Sequence, residues 1–222
     1  MKKKILVVAP HADDETLGCG GTILKHIKNK DEVNWMIVTK MDEKKFHHKI
    51  IKNRENEINK VTKGYGFKNV INLGFYTATL DSIPKNNLVE KFKKNIQKLK
   101  PEIIYLPFKF DAHSDHKCTY DAVHSCTKSF RAPYVKSVRV YETLSETDFA
   151  NNFRQIQFTP NLWIDISKHI EKKLKIMKIY NSELKKHPFP RSIKNLKALA
   201  TYRGAFAGCK YAEAFYIVKE FN

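Results

Sequence analysis

Cysteine, glycine and proline are all scarce in this 222-residue chain, and acidic residues are heavily outnumbered. The four cysteines are Cys19, Cys118, Cys126 and Cys209, and no two form a Cys-x-x-Cys pair. That argues against a disulfide framework and a cysteine-based zinc knot, and favours small buried thiols in a reducing compartment. Eight glycines and eight prolines, in a chain that is 42% hydrophobic, exclude collagen-like and low-complexity disordered classes. No apolar run approaches the roughly 20 residues that span a bilayer. The basic start followed by Ile5-Leu6-Val7-Val8-Ala9 has the outline of a secretion signal. Its apolar part is short, however, and runs into the charged residues from His11 to Glu15. It reads as a first buried strand, in a protein expected to be cytoplasmic.

What the chain has in excess is positive charge: 41 Lys and Arg against 23 Asp and Glu, a formal +18. A field of that sign favours nucleic acid, a membrane surface or a phosphate-bearing substrate. The excess is mostly lysine and is scattered, and the runs over 91–100 and 168–178 read as solvated faces of amphipathic helices. Without a concentrated arginine patch or a nucleic-acid motif, no specific nucleic-acid partner is expected. No internal repeat or linker divides the sequence, so one domain over 1–222 is expected.

Short apolar runs over 4–9, 33–39, 69–73, 103–107 and 137–142 alternate with helical patterns over 16–28, 49–64, 87–99 and 118–130. In the second helix Ile50, Ile58 and Val61 are expected toward the core. The alternation implies an α/β fold, a Rossmann-like three-layer sandwich with a mostly parallel central sheet. Beyond residue 142 the pattern loosens. A long basic helix is expected over 165–184, stopped by the prolines of His187-Pro188-Phe189-Pro190-Arg191, and a last strand over 211–218.

Two clusters directly follow strands: Pro10-His11-Ala12-Asp13-Asp14-Glu15 and Asp111-Ala112-His113-Ser114-Asp115-His116. In a doubly wound sheet the first and fourth strands can be neighbours at the switch point, which would bring both clusters to one cleft. Imidazole and carboxylate are the ligands of a catalytic Zn²⁺ with about three protein ligands and one open position. Such an ion lowers the pKa of water toward about 7. His11 and Asp14, three apart, can face one point, and Asp13 can reach the water. Of His113 and His116, one could ligate and the other face substrate, with Asp115 fixing an imidazole tautomer. Fe²⁺, Co²⁺ or Mn²⁺ could take the same ligands. Two other readings stay open: a metal-dependent phosphoesterase with two ions, and a basic nucleic-acid-binding domain without activity.

These motifs, with Leu17-Gly18-Cys19-Gly20-Gly21-Thr22 and the later Arg203-Gly204 and Tyr211-Ala212-Glu213-Ala214-Phe215, resemble the LmbE/PIG-L family of metal-dependent N-deacetylases. The departure is Ala12, where the family usually has proline. The resemblance implies one Zn²⁺ held by His11, Asp14 and His116, Asp13 as general base, and His113, oriented by Asp115, stabilising the oxyanion. It implies a hydrolase acting on an N-acylated amino sugar, with members of surface-glycan synthesis the most similar. The overall charge would suit a nucleotide- or lipid-phosphate-linked sugar. Arg54 stands where the family often has a cleft arginine, but could equally be a helix-surface arginine paired with a glutamate. Arg191 could contact sugar or phosphate, or belong to an ordinary loop. His26, His47, His48, His124, His169 and His187 are expected on the surface or in packing roles.

Overall fold

Ile5, Val7 and Ala9 face one side of strand β1 (Lys4–Ala9), Leu6 and Val8 face the other, and all five are fully buried. A strand buried on both faces belongs at the centre of a helix-covered sheet. The computed structural model, which describes residues 2–150 and 157–221, has that arrangement. β1 pairs in parallel with β2 (Glu32–Lys40) on one side and β4 (Ile103–Pro107) on the other. β3 (Asn69–Tyr76) extends the sheet beyond β2, and β5 (Ser137–Tyr141) beyond β4, both in parallel. β7 (Ala212–Glu220) then runs antiparallel to β5, and β6 (Leu162–Asp165) antiparallel to β7 at the edge. The order is β3-β2-β1-β4-β5-β7-β6.

Helices α1 (Asp14–Lys28), α2 (His48–Tyr65), α5 (Ile170–Met177) and α6 (Ile193–Phe206) cover the face that holds Ile5 and Val7. Helices α3 (Lys85–Leu99) and α4 (Ser114–Ser125) cover the face that holds Leu6 and Val8. The expected three-layer, mostly parallel sandwich is therefore present. From β1 the chain builds outward to β2 and β3, then returns to β4. The crevice at the carboxyl ends of β1 and β4 is the switch point.

Helix α1 is bent at Cys19, whose φ of −141° and ψ of 22° are not helical. The amides freed by the bend are recovered from far along the chain. Glu213 of β7 accepts from Gly21 N and Thr22 N, each at 2.8 Å. Lys173 of α5 donates to Leu17 O at 2.9 Å and to Glu213 at 2.7 Å. A Cβ on Gly21 would lie 2.7 Å from Ile166 Cβ, so the close approach of helix and strand end requires glycine there.

Several expectations fail in detail. α4 starts at Ser114 instead of 118, so the second cluster opens a helix, with His113 as its N-cap accepting from Asp115 N. Ile50 lies in the first turn of α2 and is 47% exposed, so it does not join the core; Val61 does. The helix expected over 165–184 is broken. Residues up to Asp165 form β6, and the Asp165 carboxylate accepts from Ser167 N at 2.8 Å, turning the chain before α5. After Met177 the helix ends, and Tyr180 is drawn into the interior to donate to Glu15. α6 was not expected at all. Among the described residues no helix is long and apolar enough to cross a membrane.

Candidate metal centre and cleft

The turn from β1 into α1 is buried and strained. Asp13 has φ 153° and ψ −28°, a region L-residues rarely adopt, and such strain persists only where the surroundings over-determine it. Here they do. Glu15 accepts from Asp13 N at 3.1 Å and is itself held by Thr16 Oγ1 at 2.6 Å and Tyr180 OH at 2.8 Å. Arg54 Nη1 donates to Ala12 O at 2.8 Å. Arg191 Nη1 donates to Asp13 Oδ2 at 3.0 Å. Asp14 folds back to accept from His11 N at 2.8 Å.

The turn from β4 into α4 carries the other half. His116 is fully buried, and its Nδ1 pairs with Asp111 Oδ2 at 2.7 Å. Its Nε2 lies 3.3 Å from Asp14 Oδ2 and makes no hydrogen bond among the described residues. His113 Nδ1 accepts from Asp115 N at 3.1 Å, so the neutral ring carries its proton on Nε2. Asp115 therefore orients His113 through its backbone amide. Its carboxylate instead accepts from Ala78 N at 2.8 Å and Leu80 N at 3.1 Å and meets His11 Nε2 at 3.1 Å. The Asp115 Oδ2–His113 Nδ1 separation is 3.9 Å.

His11, Asp14 and His116 each offer a ligand atom, all within 4.8 Å of one another. The orphaned, buried Nε2 of His116 is the direct sign that this set fits a cation. Its other nitrogen is fixed by Asp111, the carboxylate–histidine arrangement that holds a metal-ligating ring in the right tautomer. Charge agrees. Burial would lower the pKa of His11, but hydrogen bonds to Asp115 and Asp14 outweigh it and raise it to about 9. Burial also opposes charge on His116, yet the Asp14 and Asp111 carboxylates hold it well above its ordinary value. Burial would raise Asp14, and the imidazoles hold it well below its ordinary value. The cluster calls for positive charge, which protons or a divalent metal can supply. A second possible ligand group, His11, His113 and Asp115, shares His11 with the first.

Asp13 stands beside this set without belonging to it. Burial and the Asp14 charge raise its carboxyl to about 7, against the pull of Arg191 and Arg54. Burial lowers His113 below its ordinary value, so its ring is neutral near pH 7. Both line a cleft of about 310 Å³ that runs from the centre along α2 and the segment before it. Arg54 and Arg191 line it too, and both are engaged with acids. Arg54 pairs with Glu183 and lies 3.5 Å from Glu57. Arg191 reaches Glu183 at 3.0 Å and Glu146 at 3.6 Å. Arg54 therefore lines the cleft and is also paired with glutamates.

Every sequence-expected site residue lies at this one place. The supports were missed. Asp111 and Glu15 sat inside the quoted motifs without a role. Glu183, Glu146 and Tyr180 carried no local pattern. Away from the centre, His26 has partners after all: Nδ1 meets Asp31 at 2.7 Å and Nε2 meets Tyr105 OH at 2.9 Å.

Fold and site together define a three-layer α/β protein with a His/Asp centre that fits a divalent metal at the switch point of its sheet. Residues 6–127, more than half of the chain, match the PIG-L family, described as GlcNAc-PI de-N-acetylase, and the chain belongs to that family. It is 24% identical over 191 residues to a probable N-acetyl-alpha-D-glucosaminyl L-malate deacetylase 2 of Bacillus anthracis, covering 82% of each chain. It is 25% identical over 226 residues to diacetylchitobiose deacetylase of Thermococcus kodakarensis, covering 97% of this chain and 83% of the relative. Among solved structures, the conserved protein TT1542 from Thermus thermophilus superposes with a TM-score of 0.77 at 24% identity, over 99% of this chain and 96% of that one.

Proposed function

We propose that this protein is a zinc-dependent hydrolase that removes the N-acetyl group from an N-acetylglucosamine-type sugar, with one Zn²⁺ held by His11, Asp14 and His116. The observation that carries this reading is the buried, unpartnered Nε2 of His116 facing Asp14 and His11 beside the buried Asp13. Membership of a de-N-acetylase family and two relatives named as deacetylases of N-acetylglucosamine compounds support the substrate class. Bound there, a divalent metal would polarise the amide carbonyl and acidify water.

The residues of the chain divide the remaining work. Asp13, poised near neutrality, takes the proton from the attacking water and can return it to the leaving amine. His113 offers Nε2–H to the oxyanion, because its Nδ1 is committed as an acceptor. Arg191 holds the Asp13 carboxylate in place. Arg54 props the loop through Ala12 O. A two-metal phosphoesterase finds less support, since the second ligand group is not independent of the first and each Asp115 oxygen already accepts from an amide. The expectation of a nucleotide- or lipid-phosphate-linked sugar rests on the +18 charge alone.

Metal content and amine release, measured together on the wild type and Asp13→Asn, test the proposal. About one zinc per chain is expected in both, with amine release lowered about 10²–10⁴-fold in the variant. A wild type that takes up no metal from a zinc-replete buffer removes the proposal.

A further inference from the structure

We infer that the cleft selects an uncharged sugar conjugate whose aglycone has an apolar face, and that Phe46 and the cleft-facing side of α2 recognise that aglycone. This names the substrate class of the same site and rests on the deacetylase reading above.

The first observation is charge. The chain as a whole is strongly basic, but the cleft lining is not. It holds three cationic side chains, Lys40, Arg54 and Arg191, against six carboxylates: Asp13, Asp14, Glu43, Glu55, Glu146 and Glu183. Each cation is already matched. Lys40 pairs with Glu43, Arg54 with Glu183, and Arg191 with Asp13 and Glu183. With every carboxylate counted as ionised, a divalent metal at the centre would leave an excess of one acid. An anionic group entering here would find each side-chain cation already paired and would have to break one of those pairs.

The second observation is shape. Ile51, Arg54, Glu55 and Ile58 recur at helical spacing, so one face of α2 looks into the cleft. Met41 and Phe46, from the segment between β2 and α2, continue that wall, and Phe46 is 39% exposed. Aryl groups pack well on such an aromatic and aliphatic surface. The wall gives the far end of the cleft an apolar side while the metal centre supplies the polar end.

The test uses zinc-loaded protein and three N-acetylglucosamine compounds: the methyl glycoside, the phenyl glycoside and the 1-phosphate. Amine release is followed at low and high salt for the wild type and Phe46→Ser. For the wild type, kcat/KM should be about ten-fold higher for the phenyl than the methyl glycoside. Phe46→Ser should reduce that ratio to about two-fold or less. The 1-phosphate should be at least about ten-fold poorer than the methyl glycoside and improve with salt, because screening weakens repulsion. That arm needs no variant. A 1-phosphate turned over as fast as the methyl glycoside, or an aryl preference untouched by Phe46→Ser, overturns the inference alone. No amine from any of the three overturns the deacetylase reading and this inference with it.

Discussion

The two turns that meet at the centre are built in opposite ways. In the one after β4 the histidine rings are fixed by close neighbours: Asp111 holds His116 five residues on, and Asp115 N holds His113 two residues back. The one after β1 is strained at Asp13 and held from a distance, by Arg54, by Tyr180 through Glu15, and by Arg191, 178 residues away. The rings of His113 and His116 are therefore set by short-range partners, while the turn that carries His11, Asp13 and Asp14 depends on the fold of the whole sheet. Loss of His116 or of its Asp111 partner should reach the metal first, and loss of the Arg191 contact to Asp13 should reach the chemistry first.

The largest effect should come from His116→Ala. Metal affinity should fall by more than the roughly 10–100-fold typical of an outer partner, and amine release should vanish with it, as metal analysis after dialysis and an amine assay would show. Asp111→Asn, which removes only the acceptor behind His116, should weaken metal binding about 10–100-fold. Competition with a chelator measures this, and an unchanged affinity would mean that the ring is held without Asp111. Arg191→Met acts on the other turn. The Arg191 cation favours the ionised form of Asp13, so its loss should raise a carboxyl already at about 7. Since Asp13 must be ionised to accept a proton, the acid limb of kcat/KM should move to higher pH while metal content stays constant. Loss of metal in this variant would erase the distinction between the turns.

The smallest effect lies outside both. Burial lowers His26 below its ordinary 6.5, more than the nearby Asp31 raises it. A depressed folded pKa adds stability above about 6.5 that is lost as pH falls through the folded value. The melting temperature of the wild type should therefore drop more between pH 7.5 and pH 5 than that of His26→Gln. Equal slopes would show that the ring keeps its ordinary affinity for protons.

The legible parts of the molecule were those with short-range cause. The run Ile5 to Ala9 announced a central strand, because a strand covered on both faces needs no polar alternation. The motif residues announced a metal-type cluster, because His11 and Asp14 lie three apart on one turn, as do His113 and His116 on the other. The edge of the sheet was not legible. β6 has four residues, and α6 buries only Leu196, Ala200 and Gly204, so neither leaves a strong period. The supports were hidden for another reason: nothing local links Glu183 or Arg191 to Asp13, and only the closed sheet brings them together. Net charge is uninformative for a similar reason, since lysines on outer helices say nothing about the cleft.

The contact between Glu213 and the bend of α1 has a bearing on the order of events during synthesis. Gly21 and Glu213 are 192 residues apart, so the helix behind the metal ligands lacks its interior acceptor until the last strand has been made and has entered the sheet. Such non-local closure is slow compared with forming a helix or a neighbouring strand pair. A nascent chain with β1 to β5 in place would carry every proposed ligand yet leave the backbone amides of Gly21 and Thr22 open, and the centre would take its final form only after translation has passed residue 213.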